Sequence, residues 1–167
     1  QSYDDVPDPM GASHPGWAPY DVFRSADDEW VFVGPSSDRQ WRALCDALDL
    51  DLADDPRFAE LADRLDNRAE LDAIVQATCE QYAAEEIVSR LQDAGVPVAP
   101  VNDTADVCED PHLHETDAFG EVTATEGGGG RIETPRFPAR STGFDRVEST
   151  SPPSLGEDTE PVLSALG

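Results

Sequence analysis

Two short apolar runs open the ordered part of the chain. Tyr20-Asp21-Val22-Phe23 and Trp30-Val31-Phe32-Val33 are rich in aromatic and β-branched residues and flank the polar stretch Ser25-Ala26-Asp27-Asp28-Glu29. That arrangement predicts a β-hairpin. The apolar spacing then changes to that of a helix. Trp41, Leu44, Cys45 and Leu48 predict a helix over 38–48, with Ser36 or Ser37 as its cap. Asp54-Asp55-Pro56 predicts a second helix start with proline in the first turn, carrying Phe58, Leu61 and Leu65. Asn67 stands where a third cap belongs, before the stripe Leu71, Ile74, Val75, Thr78, Cys79 and Tyr82. A fourth helix is expected over 84–94, with Ile87, Val88 and Leu91 inward and Gly95 as its stop.

Beyond Gly95 the pattern weakens. The stretch 96–101 holds too much proline for a central strand and predicts an edge strand or an extended segment. Asp103 caps a short helix to about Cys108. Glu121 to Thr125 and Arg131 to Thr134 flank Gly127-Gly128-Gly129-Gly130, which predicts a second hairpin. Residues 1–16 are rich in Pro, Gly and Asp and should be irregular, and the tail from Ser141 ends in an amphipathic turn at Val162, Leu163 and Leu166. A hairpin, several helices and a later hairpin define an α+β class, not alternating βαβ units. The expected architecture is a small mixed or antiparallel sheet of hairpins packed with about four to five helices. Its expected parts are a linker over 1–13, a small α+β domain over 14–118, and a hairpin with a C-terminal segment over 119–167.

Charge adds a constraint. The 36 Asp and Glu face 11 basic residues, all of them Arg, for a net charge of -25. Such acidity accompanies disorder when apolar residues are scarce, but here they make up 38% and are periodic. The carboxylates recur along the whole length instead of forming a tail. An even acidic coat on a folded body fits molar salt, where screening shortens repulsion to roughly 3 Å; a nucleic-acid mimic or a calcium-loaded surface are the alternatives. Direct nucleic-acid binding is excluded for want of a basic stripe. No run has the length and apolarity of a membrane span or signal peptide, and three cysteines without a C-x-x-C pair fit a reduced, cytoplasmic protein.

Few residues offer chemistry on their own. The four glycines lead into a strand, not a helix N-terminus, and no Gly-Lys-Ser/Thr follows, so a turn is favoured over a phosphate loop. Cys108, His112 and His114 make a weak metal pattern in a polar loop, and no metal is expected. Cys45 lies on a helix face as a small core residue. There is no G-x-S-x-G and no cysteine in a basic setting.

The ordered string of motifs goes further. Gly11-Ala12-Ser13-His14-Pro15-Gly16-Trp17-Ala18-Pro19-Tyr20 leads to Val22-Phe23 and the Ala26-Asp27-Asp28 turn, then to Asp38-Arg39-Gln40-Trp41 with Leu44-Cys45. Asp54-Asp55-Pro56-Arg57-Phe58, Asn67-Arg68 with Glu70-Leu71, Gly95-Val96-Pro97, Pro100-Val101-Asn102-Asp103 and Asp110-Pro111 follow. Leu155-Gly156-Glu157-Asp158-Thr159 with Val162-Leu163 and Leu166-Gly167 close the series. In this order the string resembles the C-terminal half of class III CoA-transferases, the family of formyl-CoA transferase, the carnitine-CoA transferase and bile-acid-inducible group, and α-methylacyl-CoA racemase.

The resemblance implies a small α+β domain plus a segment returning to a large CoA-binding domain, in an interlocked homodimer. It implies acyl-CoA and a carboxylic acid as substrates, with coenzyme A thioester as substrate and no resident cofactor. In the family an Asp of the large domain attacks the thioester. No counterpart of its motif occurs here, so no catalytic residue is assigned and the chain alone is expected to be inactive. Gly11, Ala12, Ser13, His14, Pro15, Gly16 and Trp17 match a loop that closes over that carboxylate, with Ser13 and His14 as its polar contacts. Ala12 departs from the family pattern, and Pro15 and Trp17 as mere anchors of the hairpin are the alternative. Asn102-Asp103 reads as a helix cap, and Asp158 stands where many relatives carry His. Arg24, Arg39 and Arg136 are the few candidate CoA contacts. A racemase-like enzyme and a non-catalytic acidic assembly subunit remain as alternatives.

The acidic coat generates a first prediction. Circular dichroism in dilute buffer should show a largely unfolded chain that folds cooperatively toward about 2 M KCl, as screening removes carboxylate repulsion. A cooperative, fully folded state in dilute buffer would overturn the salt-adaptation reading.

Overall fold

The computed structural model describes residues 9, 11–123, 130–139, 142–143 and 152–166, which divide into two units, 1–102 and 103–167. In the first unit, strands β1 (Asp21–Arg24) and β2 (Trp30–Val33) form the expected hairpin, with Asp21 opposite Val33 and Arg24 opposite Trp30. Four helices follow: α1 (Asp38–Ala47), α2 (Leu61–Asp66), α3 (Arg68–Cys79) and α4 (Ala84–Asp93). Strand β3 (Val98–Pro100) then pairs antiparallel with β2, giving the order β1-β2-β3. Pro100 therefore sits on an edge strand, where a missing N–H costs the ladder little, and Pro97 lies just before it.

The core lies in this unit. Phe23, Val31 and Val33 from the sheet meet Trp41, Leu44 and Cys45 of α1, Leu71, Val75 and Cys79 of α3, and Ile87 and Leu91 of α4. Alternation along β2 puts Val31 and Val33 inward and leaves Trp30 exposed. Helix starts follow their local chemistry. The Ser37 hydroxyl accepts the Gln40 amide at 3.3 Å and caps α1. For α4 the cap comes from elsewhere. The hairpin tip reaches over so that Asp27 Oδ1 accepts the Ala84 amide at 3.0 Å, while the Ala26 amide donates to the Tyr82 carbonyl at 2.8 Å. The Ser25 hydroxyl and that helix amide together hold the Asp27 carboxyl below its ordinary pKa. Gly95 ends α4 at φ +69°, which glycine adopts without strain.

Two expectations about helix starts are corrected. The second helix begins at Leu61, not at Asp54-Asp55-Pro56. The Asp55 carboxylate turns back to the Arg57 amide at 2.9 Å, and the Asp55 carbonyl accepts the Phe58 and Ala59 amides, so the segment closes into turns. Asn67 occupies the cap position of α3 but does not cap it. Its side-chain amide instead donates to the carbonyls of Arg57 and Asp63.

Arg64 holds these turns to the rest of the unit. It is 2% exposed, and its guanidinium donates to the carbonyls of Ala18, Phe58 and Ala59 at 2.9–3.0 Å and to the Asp38 carboxylate at 2.7 Å. Its plane lies 5.2 Å from the Trp41 ring.

The second unit contains α5 (Thr104–Glu109), α6 (Pro111–Glu115), the hairpin β4 (Phe119–Thr123) and β5 (Arg131–Pro135), and α7 (Thr159–Leu166). Asp103 begins α5 with a reciprocal capping box to Asp106, as expected of an acidic cap. The expected polar loop at His112 and His114 is instead α6, with Pro111 in its first turn and Asp110 as its cap. The second hairpin pairs as expected, while Thr125 and Gly127 to Gly129 at its tip lie outside the described residues, as do residues 1–8.

Loss of Arg64 should be among the most damaging single changes. Arg64→Ala leaves three carbonyls without their donor and a void beside Trp41, and should cost about 3–5 kcal/mol in salt-dependent unfolding experiments. Asp38→Asn should cost far less, because that carboxylate is 61% exposed. Equal losses for the two variants would show that the ion pair, not the carbonyl cage, is the working contact.

Candidate functional site

The loop over 11–17 leads into β1 without a strand partner of its own. Gly11 turns it at φ +66°, and the residues from Gly11 to Gly16 are exposed except Ser13, which is half-buried. Two of its carbonyls and one hydroxyl are bonded from α3. Arg68, the first residue of that helix, donates from Nη1 to the Ser13 hydroxyl at 2.9 Å and from Nη2 to the His14 carbonyl at 2.6 Å. The same Nη2 makes a very short bond to the Trp17 carbonyl. A cation at a helix N-terminus opposes the helix dipole, so Arg68 gains nothing from its own helix at this position. Its work is in the loop.

His14 is held in two further ways. Its Nδ1 accepts the Gly16 amide at 3.0 Å, and its ring lies 5.4 Å from Tyr20. Tyr20 stands edge-on to Phe32 at 5.0 Å, so an aromatic ladder runs from the sheet to the loop. Gly34 makes room for it: a Cβ there would lie 2.5 Å from Phe32 Cζ and 3.0 Å from Tyr20 Cε2.

Behind Arg68, one helical turn on, Asp72 is half-buried, and its Oδ1 has no hydrogen-bond partner among the described residues. Burial pushes its carboxyl above the ordinary range; the Arg68 charge opposes that rise and Asp21 adds to it.

The residues singled out in the sequence thus separate. Ser13, His14, Gly16 and Trp17 come together around Arg68, while Gly11, Ala12 and Pro15 shape the exposed side of the loop. Arg24 is paired with Asp28 and lies against Trp30. Arg136 donates to the Phe119 carbonyl and pairs with Asp117. Arg39 is exposed. Asp103 is a cap. Nε2 of His114 lies 2.7 Å from the Cys108 carbonyl, so that imidazole meets backbone and not thiolate. Among the described residues no group of three or more His, Cys, Asp or Glu is arranged to hold a metal. Burial pushes the Cys45 and Cys79 thiols up to about 12, which removes them as nucleophiles. Asp72 was not picked out in the sequence, and Arg68 was named only within the family motif Asn67-Arg68 and not as a site residue; an arginine opening a helix was a further available signal.

Comparison with known proteins gives the family. The model of CoA-transferase family III matches residues 2–159. The chain is 36% identical over 117 residues to a succinyl-CoA:mesaconate CoA-transferase of Haloarcula marismortui, covering 70% of this chain and 28% of that protein. It is 33% identical over 154 residues to an acetyl-CoA:oxalate CoA-transferase of Acetobacter aceti, covering 91% of this chain and 38% of that one. The crystal structure of a CAIB/BAIF family protein from Brucella suis superposes with a TM-score of 0.79 at 28% identity, over 99% of this chain and 42% of the other. The chain therefore spans about a third of the length of the curated relatives it matches.

The Asp72 carboxyl gives a pH prediction. Because its folded pKa is raised, its stabilising contribution is complete below the ordinary Asp value of about 3.9 and is lost as pH rises through the raised value. Asp72→Asn should therefore raise the melting temperature at pH 7, and the gain should shrink below about pH 4. Thermal melts of both proteins at the two pH values check this; a variant less stable at pH 7 would mean that attraction to Arg68 outweighs burial.

Proposed function

The chain belongs to CoA-transferase family III, and on that premise we propose that it is the lid-bearing small-domain part of an acyl-CoA transferase. In this reading CoA moves from an acyl-CoA to a carboxylic acid, through a carboxylate nucleophile that lies on a large CoA-binding domain outside this chain. A carboxylate suits that role because its acyl adducts, a mixed anhydride and then an aspartyl thioester, stay reactive toward thiolate and carboxylate. The same adducts are vulnerable to water. A loop that closes over them would protect the intermediate, and this reading gives that work to the 11–17 loop.

The observation that carries the reading is the hold of Arg68 on Ser13, His14 and Trp17. A loop that served only to start the hairpin could be anchored at Trp17 and the buried Ala18 and Pro19. Here the anchoring extends outward to the half-buried Ser13 and the exposed His14. The second unit supports the missing-domain part of the proposal. Leu155 and Leu166 are 97% and 80% exposed, and Ile132 and Phe137 are each about half exposed. Apolar side chains so bare fit a segment that packs on a further domain. We also propose the interlocked homodimer and the cytoplasmic, salt-rich setting; no helix among the described residues is long and apolar enough to cross a membrane.

Intact mass spectrometry after incubation with succinyl-CoA in about 2 M KCl tests the assignment, at a salt level that leaves little repulsion. The chain is run alone and mixed with the large domain of a family member. An adduct on the large domain, dependent on this chain, is expected. An adduct on this chain alone would place the nucleophile here and overturn the assignment; no adduct in either sample would favour a non-catalytic assembly role.

A further inference from the structure

The hydrogen bonds of the 11–17 loop have a direction. Ser13 Oγ accepts from Arg68 Nη1, so its hydroxyl proton is left to donate; among the described residues it meets no acceptor. His14 Nδ1 accepts from the Gly16 amide, which fixes the neutral imidazole as the tautomer with its proton on Nε2. The carbonyls of His14 and Trp17 are taken by Arg68 Nη2. The acceptors of these two side chains are therefore engaged internally, and each side chain is left with a hydrogen to donate, Ser13 O–H and His14 Nε2–H. The Arg68 guanidinium stands directly behind them.

We propose that Arg68 is a positioning residue that turns the Ser13-His14 segment into a donor surface for an acyl or carboxylate oxygen. This rests on the transferase reading above and assigns the loop a task within it: to face the anionic acceptor acid, or the acyl oxygen of the adduct, with two neutral donors. Donors suit this place better than a second exposed cation, which would hold a free carboxylate as tightly as the reacting one. The arrangement also separates two jobs. Arg68 fixes the loop through bonds to its hydroxyl and carbonyls, and Ser13 and His14 present the hydrogens that meet substrate.

The test has a structural and a catalytic arm. In the chain in about 2 M KCl, where repulsion is screened, long-range 15N–1H NMR should show His14 protonated on Nε2 and not on Nδ1. The Gly16 amide should be protected from exchange, and Arg68→Gln should remove that protection. In the chain assembled with the large domain, succinyl-CoA and mesaconate serve as the probe pair. Arg68→Gln should raise the fraction of succinyl-CoA lost to hydrolysis about tenfold, with KM for succinyl-CoA little changed; Arg68→Lys, which keeps the charge and some donors, should restore part of the transfer. Ser13→Ala should lower kcat/KM for mesaconate about ten- to a hundredfold, the effect of one hydrogen bond to a charged group. An Nδ1-protonated His14, or an Arg68→Gln enzyme that melts earlier but keeps its ratio of transfer to hydrolysis, would overturn the proposal. If the wild-type assembly neither forms an adduct nor transfers CoA, the transferase reading fails, and the proposed role for the donors fails with it. The NMR arm then tells only whether Arg68 positions the loop.

Discussion

The backbone that leads into β1 has carbonyls and no strand to take them, and two guanidiniums meet that need. Arg64 near the end of α2 takes the Ala18 carbonyl, and Arg68 at the start of α3 takes those of His14 and Trp17. The α2–α3 junction keeps the two arginines on one side of the chain, since Asn67 bends the backbone only slightly, at φ -105° and ψ 20°. A buried carbonyl such as that of Ala18 is costly when unpaired, and an arginine with five donors settles several carbonyls at once. Without this pair the sheet would still have its ladder, but the loop ahead of it would have no fixed place.

The far end of the hairpin obeys the same logic with different groups. Gln76 on α3 accepts the Arg24 amide at 3.0 Å and donates to the Arg24 carbonyl at 2.9 Å, so a side-chain amide completes the open edge of β1. The tip meanwhile caps α4 through Asp27. Helix α3 therefore touches the hairpin at both ends: Arg68 at the entrance and Gln76 at the turn. Displacement of that helix would move the loop and the strand edge together, which couples the site to the core made by Leu71, Val75 and Cys79.

Much of this was legible in the residues, and the failures have one cause. Apolar patterning located the first hairpin, α1, α3 and α4, because burial of apolar side chains decides those elements, while the edge strand was read from its prolines. Caps chosen from residue type held for Ser37 and Asp103, whose side chains have only local amides to reach. Asn67 failed as a cap because it is drawn to the carbonyls of Arg57 and Asp63, and Asp55 failed to start a helix because it pairs with Arg57. The contacts of Arg64 and Arg68 were unreadable for the same reason. An arginine in a sequence looks like surface, and only long-range contacts reveal one buried among carbonyls. The resemblance singled out the loop 11–17, while its hydrogen bonding was not readable in the residues, because it depends on which lone pairs Arg68 and Gly16 occupy.

Those contacts also bear on the charge of the molecule. Arg24, Arg42, Arg57, Arg64 and Arg90 all pair with carboxylates of their own unit, and Arg64, Arg68 and Arg90 also bond to backbone oxygens. The cations are thus largely spent on internal order, and the acidic residues are left to form the surface. In the function proposed above, such a surface would repel the phosphates of CoA, and a lid approaching a bound thioester could not rely on general attraction. The proposed donors on the loop held by Arg68 would supply short-range, directional contact instead. The placement of the arginines leaves the surface acidic and gives that loop its fixed hold.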